Sequence, residues 1–137
     1  MHRRLGPRPV WLVFVLAAAV SGVGCGTGAD RAQARAVTER LYAAVHAGDG
    51  RAACAQLSPA VHAALVKNDS ASCPKAVLKL SLRGGRVLAV RVYAASAQAD
   101  LAGGEAVFLG NAKVGWRIEA LGCKSRASGP FECEEQA

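Results

Sequence analysis

Beyond residue 30 the apolar positions follow two different rhythms. Over residues 30–47, Ala34, Val37, Leu41, Ala44 and Val45 recur at three- and four-residue steps, which predicts one helix with a single apolar stripe. Asp30 is its expected N-cap and Gly48 its stop. Asp49 is placed to cap a second short helix over 50–57, carrying Ala53, Cys54 and Leu57. Ser58-Pro59 then reads as a cap followed by a first-turn proline. It predicts a third helix over 60–66 with Val61, Ala64 and Leu65 inward. Residues 67–72 are polar and read as a loop. A last short helix is expected over 75–82, holding Val77, Leu78 and Leu82.

After the Gly84-Gly85 turn the period falls to two. Residues 86–94 place Leu88, Val90 and Val92 on one face, with Val87, Arg91 and Tyr93 on the other. Residues 96–102 set Ala97, Ala99 and Leu101 against Gln98 and Asp100. Gly103-Gly104 marks a hairpin turn into a strand over 105–109. A turn over 110–113 leads to a strand over 114–121, with Trp116, Ile118 and Ala120 inward and Arg117 and Glu119 outward. Such spacing predicts consecutive antiparallel hairpins. The tail from Gly122 shows no period. Helices first and a meander after predict an α+β fold, with the N-terminal helices packed on a curved antiparallel sheet.

The start of the chain has a different character. Arg3, Arg4 and Arg8 precede an unbroken apolar run over 10–20, then small residues up to Cys25. A basic start, an apolar stretch and a small-residue cleavage zone define an export signal. The segment resembles a bacterial lipoprotein signal, with Val23 and Gly24 before the cysteine and Gly22 where an aliphatic residue is usual. That resemblance implies removal of residues 1–24 and acylation of Cys25, with a palmitate-type chain on sulfur. Residues 25–29 would then tether a single domain over 30–137. Plain secretion and an uncleaved apolar anchor are the alternatives. All three place the domain outside the cytoplasm.

Composition sharpens this picture in two places. The 137-residue chain contains five cysteines, an odd number for an exported protein. Cys25 is the natural odd one, which leaves Cys54, Cys73, Cys123 and Cys133 to form two disulfides. Sequential pairing is the simplest of the three connectivities open to four cysteines. No two cysteines approach zinc-site spacing, so no metal is expected. The formal charge is +7, but part of it lies in the leader and the remaining basic residues are scattered. A nucleic-acid partner would require a dense basic stripe or a known motif, so none is expected. Anionic envelope polymer or lipid is the partner such a charge supports.

The run Leu41-Tyr-Ala-Ala-Val-His-Ala-Gly-Asp49, the following Cys54-Ala-Gln-Leu-Ser-Pro59 and the late Gly115-Trp-Arg-Ile118 resemble the nuclear transport factor 2-like superfamily, which includes SnoaL-like and ketosteroid isomerase-like proteins. The layout is also similar to small lipoproteins of high-GC Gram-positive bacteria that carry two pairs of cysteines. The resemblance implies a cone-shaped, cystatin-like roll whose open end binds or isomerises small molecules in some members. Fold alone does not assign such an activity.

Candidate chemistry is sparse. There is no nucleophile elbow, phosphate loop or zinc-protease motif, and no cofactor is expected. His46 and His62 would serve as general bases only if they faced a pocket with a carboxylate. His46 also suits the end of a helix, where positive charge meets the negative pole of the dipole. Asp100 and Tyr93 would make an acid–base pair if their face lined a cavity. If that face is solvated, Asp100 is expected to pair with Arg91, as half-wet antiparallel sheets allow. Asn68-Asp-Ser70 matches a glycosylation sequon of little meaning in a bacterial chain. The expected function is a non-catalytic binding or structural module of the cell envelope, held at the membrane by its lipid. The alternative is a pocket protein, isomerase-like or binding a small apolar ligand.

Overall fold

In the computed structural model, which describes residues 27–137, four helices precede a five-stranded antiparallel open sheet whose strands lie side by side in chain order. The plan is α+β, as the change of period predicts. The expected leader and Cys25 lie outside the described residues.

Helix α1 (Thr27–His46) buries Ala34, Val37, Leu41 and Ala44, the expected stripe, together with Thr38. The buried Thr38 hydroxyl donates to the Ala34 carbonyl at 2.9 Å, which satisfies it inside the helix. The helix begins three residues before the expected cap, so Asp30 lies within its first turn. There the Asp30 carboxylate accepts the Trp116 indole N–H at 3.2 Å, a tie from helix to sheet.

Helix α2 (Gly50–Cys54) is capped as expected, with Asp49 Oδ1 accepting the Ala52 N–H at 3.0 Å. It stops short of Leu57, because the chain from Gln56 to Ser58 leaves the helix to bond to the sheet. Helix α3 (Pro59–Asp69) is capped by Ser58 Oγ on the Val61 N–H at 3.2 Å. It outlasts its expected end by about a turn, with Lys67, Asn68 and Asp69 still helical and exposed. Asp69 accepts Lys79 Nζ at 2.8 Å, and Ser70 ends the helix in a left-handed conformation at φ 50°. Helix α4 (Cys73–Val77) starts at the cysteine itself and ends before Leu78. Leu80 and Leu82 reach the core from irregular chain, not from the longer helix expected over 75–82.

The strands are β1 (Val87–Tyr93), β2 (Ser96–Leu101), β3 (Ala106–Ala112), β4 (Gly115–Cys123) and β5 (Glu135–Gln136). Their inner face packs Val90, Ala99, Val107, Leu109, Trp116 and Ile118 into one cluster with the helical stripe. Three register shifts interrupt the ladders, one between β1 and β2 and two between β3 and β4, and two of them reverse inferred faces. Val87 pairs with Leu101 and Ala89 with Asp100, which leaves Leu88 as an extra residue. Leu88 is therefore 54% exposed, and Val87 turns inward in its place. In β4, Phe108 pairs with Ala120 and Leu109 with Ile118, so Glu119 is extra. Ala120 consequently faces a second, outer cluster with Ala106 and Cys123, and Leu121 takes the inner position.

The turn expected over 110–113 falls later, at Lys113 and Val114, because β3 continues to pair as far as Ala112 with Gly115. Gly110 serves a different purpose. A Cβ there would meet the Glu119 carboxylate, so the missing side chain makes room for it. The tail also has more structure than its sequence suggests. Phe131 packs edge-on against Phe108 with ring centroids 5.2 Å apart, and β5 pairs with Ala120 and Leu121. The outer edge of β4 is thus covered from Ile118 onward. Gln56 and Ser58 bond to Ile118, β5 follows, and Glu132 exchanges two hydrogen bonds with Lys124.

Gly50 is the tightest point between helices, since a Cβ there would strike the Pro74 carbonyl oxygen. Gly50→Ala should therefore cost about 1–3 kcal/mol, as overpacking does. Gly28, where an added Cβ would meet nothing within 4 Å, is the control. Thermal unfolding by circular dichroism should show a lower Tm for Gly50→Ala and none of that loss for Gly28→Ala.

Candidate functional site

A groove of about 360 Å³ lies between the second half of α1 and the segment that leads into β1. Tyr42, Ala43 and Val45 line the helix side, with Glu39 and His46 at its polar margins. Leu82, Arg83, Gly84, Gly85, Arg86 and Val87 line the other side. Its size lies at the small end of the range of about 300–1,000 Å³ usual for ligand pockets.

The segment wall is fixed from beneath. Gly103 N–H donates to the Gly84 carbonyl at 3.0 Å, and Ala102 N–H to the Arg86 carbonyl at 2.9 Å. Gly84 adopts φ +62°, a left-handed conformation in which a Cβ would also strike Tyr42 Cδ1 at 2.6 Å. Glycine is needed there for both reasons. Below the turn lies Glu105, only 3% exposed. Its carboxylate accepts the N–H of Arg83 at 3.1 Å and of Gly84 at 2.8 Å. Two successive backbone donors around one carboxylate hold this segment as a small anion nest would.

Tyr42 lies beside this carboxylate. Its hydroxyl is buried and has no hydrogen bond of acceptable geometry among the described residues, although Glu105 and the Gly122 backbone stand near it. Burial, reinforced by the Glu105 carboxylate, pushes the phenol well above its ordinary value. The neutral phenol is therefore strongly favoured in the folded protein.

The charges around the groove are uneven. Glu39 is offset by Arg35 at 3.7 Å, and Arg35 also donates to the Val87 carbonyl at 2.9 Å. The guanidiniums of Arg83 and Arg86 have no side-chain partner among the described residues. The margin is thus net positive above an apolar floor.

The residues singled out in the sequence are dispersed. His46 reaches the groove, whereas His62 is exposed on α3. Arg91 on β1 pairs with Asp100 at 2.8 Å, and Gln98 also donates to Asp100 at 2.7 Å. Asp100 lies opposite Ala89, four positions along β1 from Tyr93. At roughly 3.3 Å per residue, that register separates the two side chains by about 13 Å, too far for an acid–base pair. Lys113 sits on the β3–β4 turn, at the end of the sheet away from Arg83 and Arg86. Asn68 of the sequon donates to the Glu135 carboxylate at 3.1 Å.

The cysteines pair sequentially, Cys54 with Cys73 and Cys123 with Cys133. Two disulfides fit an oxidising location outside the cytoplasm. No helix among the described residues is long and apolar enough to cross a membrane. Cys25 lies outside the described residues.

Sequence reasoning missed Glu105 and Tyr42. The available signal was an acid directly after Gly103-Gly104, at a strand start whose neighbours are all apolar. Nothing local tied it to Gly84, since 21 residues separate them. No family model, curated protein or solved structure matches the chain.

Two outcomes follow from this geometry. Glu105→Leu strands the Arg83 and Gly84 N–H groups, at a cost of about 1–3 kcal/mol for each buried donor. Amide hydrogen exchange should speed up first at those two residues. For Tyr42 the sign is set by a folded-state pKa raised above the unfolded one. Its contribution is complete below about pH 10, where the unfolded phenol is still neutral. It is lost as pH rises further, because only the unfolded chain readily releases the proton. Denaturant titrations should show stability falling above that pH, and Tyr42→Phe should remove this part of the fall.

Proposed function

We propose that this chain is a lipid-tethered protein of the cell envelope that works as a non-catalytic binding or structural module outside the cytoplasmic membrane. The observation that carries the reading is the pairing of Cys54 with Cys73 and Cys123 with Cys133. Those bridges account for four of the five cysteines and leave Cys25, directly after the export-like segment, for another chemistry. Each bridge would contribute about 2–4 kcal/mol by restricting the unfolded chain, useful in a small exported domain. Kinship with the nuclear transport factor 2-like superfamily, which the runs at Leu41, Cys54 and Gly115 resemble, is part of this proposal.

Two features favour binding over catalysis. The inner sheet face is filled by packed side chains, among them Trp116, Leu109 and Ile118. Asp100 and Tyr93 are held apart by strand register, and Asp100 is engaged by Arg91 and Gln98. The small-molecule alternative is favoured by the groove beside Tyr42, which offers an apolar floor with the cations Arg83 and Arg86 at its margin.

Intact-mass measurement of protein extracted from the membrane tests the tether. The expected mass is that of a chain beginning at Cys25 plus acyl groups, with its four other cysteines unreactive to alkylation. Cys25→Ser should abolish the acyl mass. An unacylated mass, or free thiols at Cys54 or Cys73, would sink the reading.

A further inference from the structure

We propose that the groove between α1 and the segment leading into β1 binds a small organic anion with an apolar body, such as a carboxylate on a hydrocarbon chain. The proposal rests on the reading of the chain as a binding module and names the class of ligand. Three observations converge on it. The floor is apolar, formed by Tyr42, Val45, Leu82 and Val87. Desolvating a hydrocarbon body against such a floor is favourable at about 25 cal/mol per Å². The margin carries Arg83 and Arg86, whose guanidiniums have no side-chain partner among the described residues, whereas the acid at the margin, Glu39, is already offset by Arg35. Guanidinium is the group best shaped for a carboxylate, through parallel N–H donors.

The third observation is rigidity. Arg83 and Arg86 bracket Gly84-Gly85, and that turn is anchored by Glu105 from below and by Ala102 and Gly103 from the side. The two cations are therefore presented from a fixed backbone, which lowers the entropy lost on binding. Glu105 already occupies the N–H groups of Arg83 and Gly84, so those two backbone donors are closed to a ligand, whereas the guanidiniums stay open as permanently charged donors. The available volume, about 360 Å³, suits a small molecule and not a protein surface.

Two other cations of the sheet give an internal control. Arg91 is committed to Asp100, and Lys113 lies at the far end of the sheet. A general attraction between a basic protein and any anion would draw on all four residues. A built groove would draw on Arg83 and Arg86 alone.

The test uses the full chain carrying Cys25→Ser, with octanoate, octanol and inorganic phosphate as probes and amide chemical shifts as the readout. Octanoate should give saturable shifts confined to residues 82–87 and the end of α1. Octanol lacks the charge and should bind about 10-fold more weakly or worse, the factor expected when charge-assisted hydrogen bonds are lost. Arg83→Gln with Arg86→Gln should weaken octanoate by a similar factor or more, in a protein whose other amide shifts remain native. Arg91→Gln and Lys113→Gln should leave octanoate binding unchanged.

Equal binding of octanol and octanoate would overturn the proposal, since the groove would then be apolar only. Phosphate shifting the same amides as strongly as octanoate would overturn it too, in favour of an unselective cationic patch. Absence of saturable octanoate shifts would do the same. Failure of octanoate binding, together with an intact mass of the unsubstituted chain that shows an acylated Cys25, removes the groove and leaves the tether. Octanoate binding, together with an intact mass that shows an unacylated Cys25, removes the tether and leaves the groove.

Discussion

The fold depends on the satisfaction of both edges of β4. One edge pairs with β3 in the ordinary way. The other would expose a row of unpaired backbone groups, which invites association with a second chain. Here three separate segments cover it: Gln56–Ser58 at Ile118, β5 at Ala120 and Leu121, and Glu132 at Lys124. The first brings the helical layer against the sheet, and the other two bring the tail back. A single strand thereby joins the N-terminal helices, the meander and the C-terminus.

The disulfides reinforce this same arrangement. Cys54 ends α2 just before the chain reaches Ile118, and its bond to Cys73 holds α4 against α2. Gly50 permits that approach by leaving room for the Pro74 carbonyl. Cys123 ends β4, and its bond to Cys133 anchors the returning tail beside β5. The core between these staples is made mostly of Ala, Val and Leu, with Trp116 the largest buried side chain among the described residues. A domain of this size buries a limited share of its surface, so covalent links near the critical edge strengthen it where the loss would matter most.

The groove arises at the opposite edge of the sheet, beside β1. β1 begins after an irregular segment that Glu105 pins by two hydrogen bonds, and α1 runs alongside. What remains between them is an apolar floor with Arg83 and Arg86 at its rim. Rigidity there has an electrostatic origin, because a buried carboxylate is tolerable only when donors surround it. The same carboxylate helps to keep the Tyr42 phenol neutral. A buried acid of this kind therefore sets backbone shape and local electrostatics together.

Much of this was legible in the residues themselves. The stripe of Ala34, Val37, Leu41 and Ala44, the caps at Asp49 and Ser58, the alternation of Ala97, Ala99 and Leu101, and the sequential cysteine pairing all follow from local chemistry and spacing. All but the cysteine pairing act over a turn of helix or a pair of strands, where periodicity carries the information. What the tertiary structure alone decided was phase and partnership. An extra residue at Leu88 or Glu119 reverses which side chains face inward, and a two-residue period cannot announce it in advance. The tail had no period of its own because its short strand exists only by pairing with β4. Glu105 and Gly84 meet across 21 residues, so the groove they shape was visible in neither stretch alone.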